Sequence, residues 1–174
     1  MNPSINAQPV TLEAVLVARE ARAQHQAQWL ARHGAPLVST TLVSPGAVKD
    51  GASWRRVMQE ALSAVAATLA RHQWAVNECT TLWLPTGPEA LYAVRANPVD
   101  LKLAMVELED GHRWGRLWDL DVIDEVRPLS RLSLGLEPRR CLVCDDEAHA
   151  CARARRHPIE ELLAAIDARI NESE

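Results

Sequence analysis

The chain has 174 residues, with 19 Lys and Arg against 23 Asp and Glu for a formal net charge of −4, a balance that excludes the broad positive field of a general nucleic-acid binder. At this length about two thirds of the unfolded surface can be buried, so a single domain over residues 1–174 with a self-sufficient core is expected. No stretch reaches the roughly 20 apolar residues needed to cross a bilayer, and no basic region followed by an apolar run opens the chain, so a cytoplasmic protein without a membrane segment is expected.

The first predicted element is a helix over residues 11–33. Thr11 is placed to cap it, Glu13 stands in the first turn, Leu12, Val15, Leu16, Ala27 and Leu30 recur at helical steps, and Gly34 stops it. Leu37 to Val43 is short and β-branched and runs into Ser44-Pro45-Gly46, a strand feeding a loop. A second helix covers residues 53–72, with Trp54, Val57, Met58, Ala61, Leu62, Val65 and Leu69 on one face. Residues 74–84 and 90–95 read as a hairpin around Pro85-Thr86-Gly87-Pro88. Asp100 is expected to cap a helix through Glu109 that ends at Gly111, with a strand as the competing reading. Residues 116–123 form an apolar run carrying two aspartates, followed by a charged turn at Asp124-Glu125 and a second strand near 129–134. The chain ends in a helix entered at Pro158, striped by Ile159, Leu162, Leu163, Ile166 and Ile170. Strands and helices mix without βαβ alternation, so the expected class is α+β, a mixed or antiparallel sheet with packed helices.

The most informative motif is Asp119-Leu120-Asp121. On a strand, Asp119 and Asp121 share one face while Trp118, Leu120 and Val122 point into the core. Two carboxylates side by side raise each other's pKa unless a cation sits between them, and hard oxygen donors at this spacing suit Mg²⁺ together with substrate phosphates. Arg116 stands close enough in sequence to add a phosphate contact. The plain alternative is a solvated edge strand.

A second cluster comprises Cys141, Cys144, Cys151 and His157, four soft or borderline donors within seventeen residues. That is the ligand number of a closed structural zinc site. The alternative is a group of reduced cysteines packing the C-terminal helix. Lys49, after the Ser44-Pro45-Gly46 turn, can reach a phosphate from a loop that lacks the Walker pattern, or can be a solvated lysine. His112 is a candidate general base or an exposed turn histidine. Arg19, Glu20, Arg131, Arg139 and Arg140 are explicable as solvated faces.

Several segments in order, among them Val17-Ala18-Arg19-Glu20-Ala21-Arg22, Pro45-Gly46-Ala47-Val48-Lys49-Asp50, Asp100-Leu101-Lys102-Leu103-Ala104, Gly115-Arg116-Leu117-Trp118-Asp119-Leu120-Asp121-Val122, Ser130-Arg131 and Pro138-Arg139-Arg140-Cys141-Leu142-Val143-Cys144, resemble the apo-citrate lyase phosphoribosyl-dephospho-CoA transferases. The resemblance covers about residues 11–170. It implies an enzyme that moves the phosphoribosyl-dephospho-CoA part of 2′-(5″-triphosphoribosyl)-3′-dephospho-CoA onto a serine of the apo acyl carrier protein, the γ subunit of citrate lyase, and releases diphosphate. It agrees with the reading of Asp119 and Asp121 as catalytic Mg²⁺ ligands, and Arg116, Lys49 and Arg131 are the expected phosphate neutralisers. A nucleotidyltransferase-like fold is one form of the expected α+β domain. A separate protein is expected to supply the triphosphoribosyl substrate. An acidic carrier would favour a basic patch such as Arg139, Arg140, Arg153, Arg155 and Arg156. The competing reading from another class is a zinc-stabilised protein-binding module without catalysis.

Overall fold

The computed structural model describes residues 7–125 and 128–172. Contacts divide the chain after Leu129 into two compact units. The first contains helix α1 (Leu12–His33), strand β1 (Leu37–Leu42), α2 (Ala52–Arg71), β2 (Ala75–Leu84), β3 (Gly87–Arg95), α3 (Pro98–Gly111), a 3₁₀ turn (Gly115–Leu117), β4 (Trp118–Ile123) and β5 (Pro128–Leu129). The strands form one antiparallel sheet in the order β2-β3-β1-β4-β5. The expected α+β class is borne out, and the sheet is the antiparallel form of it.

Local chemistry explains most boundaries. Thr11 Oγ1 accepts the Ala14 N–H at 3.1 Å, and Gly34, at φ 52°, donates its N–H to the Leu30 carbonyl, so α1 begins and ends where its cap and its left-handed glycine stand. The predicted hairpin forms, with Pro85 and Thr86 between its strands. Two boundaries differ from expectation. Asn97, not Asp100, caps α3: its side chain accepts the N–H groups of Val99 and Asp100, and Pro98 occupies the first turn, where a missing N–H costs nothing. Asp100 stands in the first turn instead, where its charge complements the helix dipole. The strand expected at 129–134 is only the two-residue β5, because Ser130 and Ser133 exchange side-chain and backbone hydrogen bonds that turn the chain into a 3₁₀ segment, Leu132–Leu134.

Alternation across the strands sorts the core onto two faces. Val38, Ala90, Tyr92, Val94, Trp118, Leu120 and Val122 are buried on the face that meets α2, where Trp118 Nε1 donates to the Val57 carbonyl at 3.2 Å. On the opposite face α1 sets Trp29 against Leu37, Leu91, Ala93 and Ile123. That second face is apolar toward the end of β4 and polar toward its start. β1, central in the sheet, is buried on both sides from Leu37 to Thr40.

The second unit holds the 3₁₀ segment, α4 (Ala148–Ala154) and α5 (Ile159–Asn171). Between them residues 139–148 make a tight loop, with Cys141 N–H on the Asp146 carbonyl and Ala148 N–H on the Arg139 carbonyl. α4 was not anticipated: its seven residues show no apolar stripe. Among the described residues of this unit only Cys151, Ile166 and Ile170 are buried.

Candidate functional site

The two aspartates sit as the alternation requires. Asp119 is half-buried and Asp121 exposed, on the face opposite Trp118, Leu120 and Val122. In register, Asp119 stands beside Thr41 and Asp121 beside Ser39 on β1, and Ser39 in turn stands beside Leu91 on β3. The apolar run expected to be strand from Arg116 begins as a 3₁₀ turn, so Arg116 precedes the strand rather than belonging to it. Gly115 is obligatory there, since a Cβ would collide with the Glu109 carbonyl.

Several polar elements meet at this end of the sheet. The loop after β1 is tied to the 3₁₀ turn by Val43 N–H on the Leu117 carbonyl at 2.9 Å, and it packs Lys49 against Gly87 at the β2–β3 turn. Lys49 Nζ donates to the Ser44 carbonyl, while burial and the neighbouring Arg19 guanidinium hold its pKa below the usual lysine value. In the same loop Asp50 takes a two-pronged contact from Arg55, at 2.9 and 2.7 Å. From α1, Gln26 donates to Ser39 Oγ at 2.9 Å, and Arg22 pairs with Glu89 at 3.2 Å. Arg22, His25, Ser39, Thr80, Leu82 and Glu89 line a pocket on the same face as the aspartates. Burial pushes the Glu89 carboxyl above the usual range, against the pull of Arg22 and His25. Cations from α1 and the loop thus share one sheet face and one end with the two carboxylates.

The second cluster is assembled in the other unit. The ligand atoms of Cys141, Cys144, Cys151 and His157 all lie within 4.8 Å of one another, an arrangement that can hold a metal ion. Cys144 Sγ is 3.5 Å from Cys151 Sγ and 3.2 Å from His157 Nε2, and His157 Nδ1 lies 3.2 Å from Glu161 Oε2. Burial opposes ionisation of Cys141, yet the backbone N–H groups of Val143 and Cys144, with the thiols of Cys151 and Cys144, bring its pKa down to about 7. Burial and the thiols of Cys144 and Cys141 push Cys151 up to about 11.

Residues 10–173 match the family described as apo-citrate lyase phosphoribosyl-dephospho-CoA transferase. The chain belongs to this transferase family. Proteins named apo-citrate lyase phosphoribosyl-dephospho-CoA transferase from Shigella boydii serotype 18, Escherichia coli O157:H7 and Shigella sonnei are each 42% identical to it over 164 residues, covering 94% of this chain and 90% of theirs. The match runs through both units.

Within this family member, the other sequence candidates are distributed unevenly. Arg131 lies in the second unit at the start of its 3₁₀ segment. His112 stacks on Trp118 at 4.3 Å and faces Glu60 at 3.4 Å, which puts it on the α2 side of the sheet, away from the aspartates. Burial lowers its pKa, with Glu60 opposing. Its Nδ1 accepts the Trp114 N–H, so it closes the turn after α3.

Sequence reasoning missed Lys102 and Glu109. β5 pairs only with Val122 and Ile123, so the outward N–H and C=O of Leu120 have no strand partner. α3 supplies both: Glu109 Oε1 accepts the Leu120 N–H at 2.8 Å, and Lys102 Nζ donates to the Leu120 carbonyl at 2.9 Å. These two side chains, 3% and 5% exposed, act as a surrogate strand beside the residue between the aspartates. Lys102 Nζ is also 3.9 Å from Asp121 Oδ1. The available signal was a Lys and a Glu two turns apart, in phase with the apolar Leu101 and Met105 of α3.

Proposed function

We propose that this protein transfers the phosphoribosyl-dephospho-CoA moiety of 2′-(5″-triphosphoribosyl)-3′-dephospho-CoA to a serine of the apo acyl carrier protein of citrate lyase, with both units serving one transferase. The observation that carries this reading is the family match across residues 10–173. The polar end of the sheet, which pairs carboxylates with cations, is chemically suited to it. The serine Oγ forms a new bond to the phosphorus nearest the ribose as the bond to diphosphate breaks, and the hydroxyl proton is released. Negative charge grows on the departing diphosphate, and fixed positive groups aimed at it lower the barrier. Lys49 and Arg116, both in the first unit, are assigned to that task.

Asp119 and Asp121 offer hard oxygen donors on one face, a set that fits Mg²⁺, and the ion would neutralise triphosphate charge when bound. Lys102 holds Asp121 and the strand between the carboxylates in place. The donors of the second unit, three thiolates and an imidazole, suit zinc instead. The exposed Arg140, Arg153, Arg155 and Arg156 are assigned to docking an acidic carrier protein. Reversing Arg153 and Arg155 to Glu is expected to raise KM for the carrier with little change in kcat; an unchanged KM removes the patch from the docking surface.

Intact-mass analysis of the apo carrier protein, incubated with this chain, Mg²⁺ and the triphosphoribosyl substrate, tests the reaction. A mass gain equal to the prosthetic group is expected, and it should be lost without metal. In Asp119→Asn, transfer is expected to fall by about 10²-fold or more with the circular dichroism spectrum unchanged. Full activity in that variant would remove the aspartate from the mechanism, and no mass gain with the wild-type chain would overturn the substrate assignment.

A further inference from the structure

We propose that Cys141, Cys144, Cys151 and His157 form a closed structural zinc centre and that the fold of residues 130–172 depends on its occupancy. This rests on the zinc assignment made above and adds the role of the ion. The four donors come from three places: the loop before α4, α4 itself, and the junction of α4 with α5. In a tetrahedral site with Zn–S near 2.3 Å and Zn–N near 2.0 Å, neighbouring donors lie roughly 3.4–3.8 Å apart. The Cys144–Cys151 separation of 3.5 Å and the Cys144–His157 separation of 3.2 Å are already close to those values, and no pair exceeds 4.8 Å.

The surroundings are those of a metal centre as well. The N–H groups of Val143 and Cys144 are directed at the Cys141 sulfur, which places donor dipoles where a metal-bound thiolate carries charge. Glu161, one turn into α5, holds His157 through Nδ1 and leaves Nε2 turned toward the cysteines; a carboxylate on the far nitrogen fixes tautomer and orientation in many zinc sites. Four protein donors fill a tetrahedron and leave no position for water or substrate, so the centre is structural rather than catalytic.

The dependence of the fold follows from what else holds this unit. Among its described residues the buried side chains are Cys151, Ile166 and Ile170, and α4 is seven residues long. Isolated helices shorter than about 12 residues are marginal in water, and units of about 40 residues usually need a metal, disulfide or partner. Three unbound thiols and an imidazole, joined by weak sulfur contacts at 3.5 and 3.2 Å, add little to compensate. A bound ion joins the loop, α4 and α5 at one point.

The test uses the full chain. Elemental analysis is expected to find one zinc per chain, and Co²⁺ exchanged into it should show the intense visible bands of a tetrahedral thiolate site. Chelation should expose residues 130–172 to limited proteolysis while the first unit stays protected, and zinc should restore protection. Glu161→Gln, which keeps all four ligands, is expected to weaken zinc affinity about 10–100-fold in a chelator competition. No zinc, or an octahedral cobalt spectrum, overturns the zinc assignment and this proposal with it. Stoichiometric tetrahedral metal with unchanged proteolysis after chelation overturns only the dependence of the fold, and wild-type affinity in Glu161→Gln removes that residue from the centre.

Discussion

The two units are held together by different forces. In the first, Leu37, Val38, Val57, Met58, Val65, Leu101, Leu117, Trp118 and Leu120 lose nearly all contact with water, and the polar residues sit around that core. In the second, side chains from the loop, α4 and α5 converge in a polar cluster of three thiols, an imidazole and a carboxylate. Apolar burial scales with area removed from water, and the second unit offers little of it. A large core makes one unit tolerant of changes at its surface, whereas the other stakes its order on a few donor atoms.

This contrast can be broken most forcefully at Trp118. Trp118→Ala empties a fully buried site and removes the indole hydrogen bond to the Val57 carbonyl of α2, so unfolding of the first unit is expected to cost about 3–5 kcal/mol less in urea titrations. Proteolytic protection of residues 130–172 is expected to be unchanged in zinc under native conditions. Loss of protection there would show that the first unit's core supports both.

A smaller effect sharpens the link between core and chemistry. Lys102→Met keeps the apolar stem but strands the Leu120 carbonyl, an expected loss of about 1–3 kcal/mol, and removes the cation beside Asp121. The apparent KM for Mg²⁺ in the transfer assay is expected to change along with stability. A purely structural role would shift the unfolding midpoint and leave that metal dependence alone.

The smallest effect is electrostatic. The hydrogen bond from Arg55 holds the Asp50 carboxyl below its usual 3.8. The stability this contributes is present above pH 3.8 and is lost as pH falls through the lower folded-state value, because the unfolded state then binds the proton first. The difference in unfolding free energy between wild type and Asp50→Asn is expected to be flat near neutrality and to shrink in acid. A difference that grows on acidification would reverse the sign.

Much of the first unit could be read from one dimension because its signals are local. Thr11 and Gly34 bound α1, and Pro85-Thr86 closes the hairpin, through contacts within a few residues. The aspartates were readable for the same reason: strand alternation alone puts them on one face. The cysteine cluster was visible as a donor set, although its spacing matches no common finger. Glu89, Lys102 and Glu109 carry no comparable mark. Each matters because of what a different element places beside it: Arg22 of α1 for Glu89, and the outward edge of β4 for the other two.

The sequence by itself therefore determined the α+β class, most element boundaries, the aspartate pair and the donor set of the second unit, since periodicity, capping and side-chain chemistry act over a few residues. Only the tertiary structure decided which strand lies beside β4, that β5 stops short of Leu120, that His112 faces away from the aspartates, and that four donors spread over residues 141–157 converge within 4.8 Å. Those outcomes depend on packing between distant segments, whose energies are summed over the fold and leave no trace in the spacing of any one stretch.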